Sequence, residues 1–161
     1  MEFGLVQVGE GGWVGAILRG AAVTIAVGVA SMIFGLIIGT ICGLIKWRAV
    51  VGLSHLVDLY TSVIRGVPEL LIIYLLFFGS VEFVTKIATV FGFAELADAG
   101  YAFFITVAAI SAISGAYSTE VIRGALAAIP KGHIEAAVAL GLPSRRIFAR
   151  IIAPQMLRIA F

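Results

Sequence analysis

A long run without charged residues is the feature that most constrains this chain. Positions 20–45, between Arg19 and Lys46, hold 26 consecutive residues without Asp, Glu, Lys or Arg. A helix of that length reaches about 39 Å at roughly 1.5 Å per residue, and the hydrocarbon core of a bilayer is about 30 Å thick. We therefore predict a first membrane span here.

The composition also indicates a membrane protein. Hydrophobic residues make up 61% of the 161 positions and charged residues only 12%, whereas soluble domains carry about 25% charged residues. Intrinsic disorder is excluded as well, because it requires low hydrophobicity. The net charge of +2 provides no electrostatic basis for nucleic-acid binding. A single cysteine, Cys42, excludes a disulfide framework and a cysteine-based metal site.

Two further spans are predicted downstream. Residues 99–119 form an uncharged run of 21 residues. The apolar stretch from Leu70 to Val81 is too short on its own, because 12 residues reach only about 18 Å. We therefore predict a span over about 54–81 with a kink near Gly66–Pro68, since proline removes a backbone donor and restricts the residue before it.

Lysine and arginine lie mostly on one side of the predicted spans. Only Arg19 precedes the first span. Basic residues follow the first and third spans: Lys46, Arg48, Arg123, Lys131, Arg145, Arg146, Arg150 and Arg158. The positive-inside rule then places 46–66 and 123–158 in the cytoplasm and the N-terminal segment 1–12 on the outer, periplasmic side.

Small residues recur every four positions in the first span, at Gly35, Gly39 and Gly43. This spacing has two interpretations: a close helix–helix contact in the core of a transporter, or ordinary packing in a helical membrane protein. The sequence leaves both open.

After the third span, the residue pattern predicts a short helix, a turn and a second helix. The first helix fits His133 to Leu140, Gly141 suits a left-handed helix end, and Pro143 suits the start of the next helix. At 100° per residue the basic side chains of the second helix (Arg145, Arg146, Arg150) lie opposite its apolar ones (Ile147, Phe148, Ile151, Ile152). Such a helix either rests on lipid phosphates or offers a surface to a soluble partner.

Ionisable residues near or within the membrane are candidates for function: Asp58, Arg65, Glu69 and Glu120. Arg65 and Glu69 are four positions apart and pair only if the helix between them is continuous. The two histidines, His55 and His133, lack metal-ligand spacing, so no metal site is expected. No phosphate-binding Gly-Lys-Ser/Thr loop occurs, so ATP hydrolysis would belong to another chain.

One motif of this segment resembles a known family. Glu135-Ala136-Ala137, followed at fixed spacing by Gly141, Ile151 and Pro154, resembles the EAA loop of type I ABC-importer permeases, with Ala153 where the family has leucine. The stretches 65–70 (RGVPEL) and 115–133 (from GAYSTE to PKGH) resemble the polar amino acid permeases. Within that group the chain is most similar to the histidine, lysine/arginine/ornithine and opine (octopine, nopaline) subunits, over about residues 13–161.

The resemblance implies an all-α integral membrane bundle of the type I ABC-importer fold. Residues 13–161 would form the transmembrane domain, with three spans and a cytoplasmic coupling loop at 130–154. Members of the family continue with two further spans, so we expect this chain to stop before the last two. The implied location is the bacterial inner membrane, crossed several times with a periplasmic N-terminus.

The implied function is that of a permease subunit in an ATP-driven importer of a polar, cationic amino acid or an opine. The chain itself would not be an enzyme, because ATP and Mg bind a separate ATPase. Docking to that ATPase would use Glu135, Ala136, Ala137, Gly141 and Pro154. For a cationic amino acid, Glu69, Tyr117 and Glu120 would line the substrate path; the alternative for the two carboxylates is a structural role, since charges near the cytoplasmic exit, where Glu120 and Arg123 lie, cost little. Further implied partners are a second permease subunit (identical or a paralogue), a periplasmic solute-binding protein and membrane lipid.

Two other functions are compatible with parts of the sequence. The first is a non-transporting membrane scaffold or regulatory subunit whose basic helix binds lipid or a partner. The second is an ion-coupled carrier, which would favour inverted repeats and broken helices with ligands at the midplane. A lipid-binding helix requires neither Glu135 nor Gly141, so the EAA spacing favours the importer.

Overall fold

The computed structural model describes residues 13–91 and 101–160, and the side chains of these ranges except 81–91. The predicted periplasmic segment 1–12 lies outside them. The described elements are all helical: α1 (Trp13–Trp47), α2 (Leu53–Gly66), α3 (Glu69–Phe91), α4 (Tyr101–Ala127), α5 (Lys131–Ala139), α6 (Ser144–Ile147), a π-helical turn (Phe148–Ile152) and α7 (Ala153–Ala160). The predicted all-α membrane fold is confirmed.

Two helices of the described chain are long and apolar enough to cross a membrane, α1 and α4. They correspond to the first and third predicted spans. A third crossing is counted if α2 and the first half of α3 form one broken span.

The predicted break between α2 and α3 is present, and it is sharper than a kink. The two arms, Leu53–Gly66 and Glu69–Ser80, meet at 106°. Val67 between them is extended, with φ −113° and ψ 142°, as expected for a residue before proline. The two arms of this broken span agree with the predicted 54–81, and the helix α3 itself continues beyond them to Phe91. Since α2 ends at Gly66, no continuous helix joins Arg65 to Glu69.

The glycine face of α1 packs directly on α4. Gly35, Gly39 and Gly43 are all buried. A Cβ atom added at Gly43 would lie 2.9 Å from Ile122 Cγ2, and Cβ atoms added at Gly35 and Gly39 would overlap Ser114 and Ser118. The small residues therefore make a close helix–helix contact, because the absence of side chains lets the two backbones approach.

Hydroxyl groups reinforce the packing against α4. Ser31 Oγ donates to the Val107 carbonyl at 3.5 Å, and Ser111 Oγ donates to the Ser31 carbonyl at 3.4 Å. From α2, the Tyr60 hydroxyl donates to the carbonyl of Ala112. Such bonds satisfy polar groups that would be costly in an apolar environment.

Besides the contact between α1 and α4, an apolar cluster, called here the second core, joins the end of α4 to the helices after it. Its buried members are Ile122, Ala125, Leu126, Ile129, Ala137, Ile147, Ile152 and Met156. Leu44 and Trp47, at the end of α1, pack against this cluster. The carboxyl-terminal helices are therefore fixed to the base of the α1–α4 pair.

Candidate functional site

The hairpin formed by α5 and α6 closes as its residue types predict. Gly141 adopts the left-handed conformation with φ 69°. Its N–H donates to the Val138 carbonyl at 2.9 Å, and the Leu142 N–H donates to the Ala137 carbonyl at 3.1 Å. This pair of bonds is the Schellman motif, which satisfies the last carbonyls of a helix. Pro143 then caps α6, so the predicted turn is confirmed.

The hairpin exposes an acidic group beside apolar side chains. Glu135 and Ala136 are exposed on α5. Val138 is 60% exposed and Leu140 80% exposed. Sequence reasoning missed these two residues, because a helix of nine residues is too short for a reliable apolar period.

Two other predicted docking residues, Ala137 and Pro154, are not part of this exposed surface of α5. Ala137 is only 2% exposed and belongs to the second core, so its side chain faces away from the exposed surface of α5. Pro154 is exposed in the first turn of α7. His133 Nδ1 lies 3.1 Å from Gln155 Oε1, which connects α5 to α7.

The basic helix predicted after Pro143 is not one regular α-helix. It contains a π-helical turn, in which the Ala153 N–H donates to the Phe148 carbonyl, five residues back. Ile147 and Ile152 are both buried, at 5% and 4% exposure. A regular helix would place them about 140° apart. The predicted division of the faces is confirmed for the arginines, since Arg145, Arg146 and Arg150 are all exposed.

A network of ion pairs joins α1, α2 and α4 at one end of the α1–α4 pair. Lys46 Nζ lies 2.6 Å from Asp58 Oδ1 and also contacts Glu120 Oε1. Glu120 Oε2 accepts from Arg123 Nε at 2.9 Å. The side chains of Lys46 and Glu120 are only 10% and 18% exposed. Two cations therefore hold the Glu120 carboxylate.

A second polar group surrounds the bend between α2 and α3. The Arg65 guanidinium lies 5.7 Å from the centre of the Tyr117 ring, within the range of a cation–π interaction. The Tyr117 hydroxyl faces the Glu69 carboxylate. The structure thus brings together Glu69 and Tyr117, two of the three predicted substrate-path residues.

An open groove lies between these two groups. Its volume is about 470 Å³, which falls within the usual range for small-molecule sites. The lining residues are Lys46, Thr61, Ser62, Arg65, Gly66 and Glu120. Hydroxyl groups and the cationic side chains of Lys46 and Arg65 therefore face one space, with the paired Glu120 carboxylate beside them.

The class of protein follows from two comparisons, one with a solved structure and one with a protein family. The chain superimposes on the solved structure described as "Crystal structure of an amino acid ABC transporter with histidines" with a TM-score of 0.61, over 90% of this chain and 65% of that one. At 24% identity this likeness shows the fold alone. Residues 31–161 match the family described as "Binding-protein-dependent transport system inner membrane component", and the chain belongs to this family.

Similar proteins extend the comparison. The chain is 42% identical over 161 residues to the nopaline transport system permease protein NocQ of Agrobacterium fabrum, covering 99% of this chain and 68% of that protein. It is 38% identical to the octopine permease protein OccQ of Rhizobium radiobacter, over 97% and 65%. It is 39% identical to the histidine/lysine/arginine/ornithine permease protein HisQ of Escherichia coli, over 92% and 64%. The chain therefore spans about two thirds of the length of these relatives.

Family membership decides between the alternatives. The chain is a membrane transport component rather than an enzyme, and neither the scaffold nor the ion-coupled carrier is favoured.

Proposed function

We propose that this chain is a permease subunit of an ATP-driven importer and that the α5–α6 hairpin docks into a separate cytoplasmic ATPase. The observation that carries the proposal is the closed hairpin with Glu135, Val138 and Leu140 exposed on it. ATP and Mg would bind the ATPase. Closure of that partner would move the permease as a rigid body between inward- and outward-facing states.

The exposed surface of α5 has the chemistry of a helix that fits a groove. Val138 and Leu140 supply apolar area that gains by leaving water. Ala136 is small enough for close approach, and the Glu135 carboxylate is placed to pair with a basic residue of the groove. Ala137 and Gly141 have supporting roles, since the first packs the hairpin internally and the second closes its turn.

We infer that the hairpin lies on the cytoplasmic side of a bacterial inner membrane and that the N-terminus is periplasmic. The distribution of lysine and arginine supports this orientation. On the outer side, a solute-binding protein would deliver the substrate. A second permease subunit, identical or a paralogue, would complete the path, and lipid would cover the exposed apolar surface of α1.

The proposed substrate is a polar, cationic amino acid or an opine. The similar proteins NocQ, OccQ and HisQ, which are permeases for nopaline, octopine and histidine/lysine/arginine/ornithine, support this class. Arg65, which lines the groove, would attract a carboxylate, and the Glu69 carboxylate beside Tyr117 at the bend would attract the cationic group. Glu120 would hold Lys46 in place rather than contact the solute.

Co-purification tests the docking surface. The chain would be tagged, expressed with its neighbouring subunits and extracted mildly, and the recovered ATPase would be quantified. Glu135→Lys and Leu140→Asp should each lower recovery about tenfold, corresponding to about 1.4 kcal/mol. The matched control Arg48→Glu reverses an exposed charge just after α1 and should recover as much ATPase as the unchanged chain. Equal recovery from all variants would refute docking through this hairpin.

Transport of radiolabelled arginine in membrane vesicles tests the substrate site separately. Glu69→Gln should reduce uptake at least about tenfold while ATPase recovery stays unchanged. If uptake by Glu69→Gln equals that of the unchanged transporter, Glu69 is not a substrate contact.

A further inference from the structure

The π-helical turn corrects the register of the segment that supports the hairpin. The buried residues of this segment are Ile147, Ile152 and Met156, with spacings of five and four. A spacing of four keeps two side chains on one helical face, but a spacing of five does not. The π-turn widens one turn to accommodate an additional residue, so that Ile147 and Ile152 both enter the core.

Pro154 follows this turn directly and favours it over an α-turn. In a regular helix, residue 154 would donate to the carbonyl of Arg150, and proline has no N–H to donate. Its ring would also clash with that carbonyl. With the wider turn at Phe148–Ile152, the Ala153 N–H donates to the Phe148 carbonyl, five residues back, instead of to the carbonyl four residues back.

The register of this segment determines where the hairpin sits. The core that receives Ile147 and Ile152 also contains Ala137 of the hairpin and Leu126 of α4. If Ile152 rotated out of that core, α6 would lose its support on one side, and the exposed surface of α5 would change direction relative to α4.

We propose that the additional residue of the π-turn and Pro154 act as a matched pair that positions the hairpin for its partner. The proposal rests on the proposed function, in which this hairpin docks into an ATPase. It assigns Pro154 a positioning role rather than direct contact with the partner. Each member of the pair compensates for the other. Changing one alone should therefore impair docking to the ATPase, and changing both should not.

Three variants of the full chain in its complex test the compensation. Deletion of the exposed Ala149 removes the additional residue but leaves proline inside an α-helix. Pro154→Ala restores the donor but lets the helix relax with Ile152 on the wrong face. The combined variant allows a regular α-helix in which Ile147 and Ile152 are four positions apart. We expect each single variant to lower ATPase recovery about tenfold, or about 1.4 kcal/mol, and the combined variant to recover the original level.

A second readout does not depend on the ATPase. In a Cys42→Ala background, Ile152→Cys carries the only thiol of the chain, and its rate of maleimide labelling reports whether position 152 is buried. Labelling should be slow with the π-turn, about tenfold faster after Pro154→Ala, and slow again in the combined variant.

The two readouts separate the two proposals. If the labelling rates show compensation but the unchanged chain recovers no ATPase, the matched pair is supported and docking is refuted. Additive effects of the two changes, or no effect of Pro154→Ala on labelling, would overturn the register pair whatever the ATPase recovery.

Discussion

Gly39 shows how one missing side chain sets the distance between two membrane helices. A Cβ atom at this position would overlap Ser118 and would lie 3.0 Å from the Ser118 carbonyl carbon, so backbone as well as side chain would have to move. In the sequence, Gly39 is singled out only by the four-residue spacing of the glycines. The structure shows that it faces α4.

The first prediction concerns this contact. Gly39→Ala should destabilise the chain by about 1–3 kcal/mol, the usual cost of overpacking. Gly28→Ala is the matched control on the same helix, because nothing lies within 4 Å of its Cβ position. The measurement is the thermal midpoint of the detergent-purified protein by size-exclusion profile. Equal midpoints for the two variants would contradict the close contact.

The second prediction concerns Lys46 and its ion pair with Glu120. Lys46→Met leaves the Glu120 carboxylate with only Arg123 as a partner while it is 18% exposed, and breaking a largely buried pair costs about 3 kcal/mol. Arg123→Ala removes a partner that is 47% exposed and should cost less than about 1 kcal/mol.

A compensating variant checks the assignment of this pair. Lys46→Met combined with Glu120→Met replaces both largely buried charges with apolar groups and should regain most of the loss, because the partners that they leave, Asp58 and Arg123, are 57% and 47% exposed. Urea or thermal denaturation in detergent gives the comparison. A double variant as unstable as Lys46→Met would show that the pair does not account for the effect.

At the scale of elements, the hairpin depends on the conformation of Gly141. Its φ of 69° is disfavoured for residues with a Cβ, and nothing lies within 4 Å of the Cβ position, so strain is the only expected cost. We predict that Gly141→Ala destabilises the chain by about 1 kcal/mol and that Gly141→Asn costs less, because asparagine tolerates this region. Thermal midpoints of the two purified variants provide the test. An alanine variant as stable as the asparagine variant would indicate that the turn changes conformation.

The elements that the sequence predicts well are those encoded locally. Gly141 and Pro143 define the hairpin within a few residues, and Pro68 defines the break before α3. The π-turn was missed because a helical wheel assumes 100° for every residue, and only burial of both Ile147 and Ile152 selects the wider turn. The Lys46–Glu120 pair was missed because its members are 74 positions apart in sequence.

At the scale of the whole molecule, the orientation in the membrane can be tested with single cysteines. In a Cys42→Ala background, Val51→Cys introduces a thiol at a position that is 95% exposed in the turn after α1, and Trp13→Cys introduces one at the start of α1, 66% exposed. We predict that a membrane-impermeant maleimide labels Trp13→Cys in intact spheroplasts and Val51→Cys only in inside-out vesicles, because basic residues remain in the cytoplasm. The opposite pattern would reverse the proposed orientation.

The glycine contact between α1 and α4 also has a consequence for motion. Two backbones that touch over successive turns separate only by losing much of their packing at once, so we expect α1 and α4 to move as a single rigid body. The extended residue Val67 lies in a short break between helices and absorbs backbone rotation more easily. In the rigid-body change proposed above, the α1–α4 pair would therefore keep its internal geometry, and the break at Val67 would absorb the remaining backbone rotation.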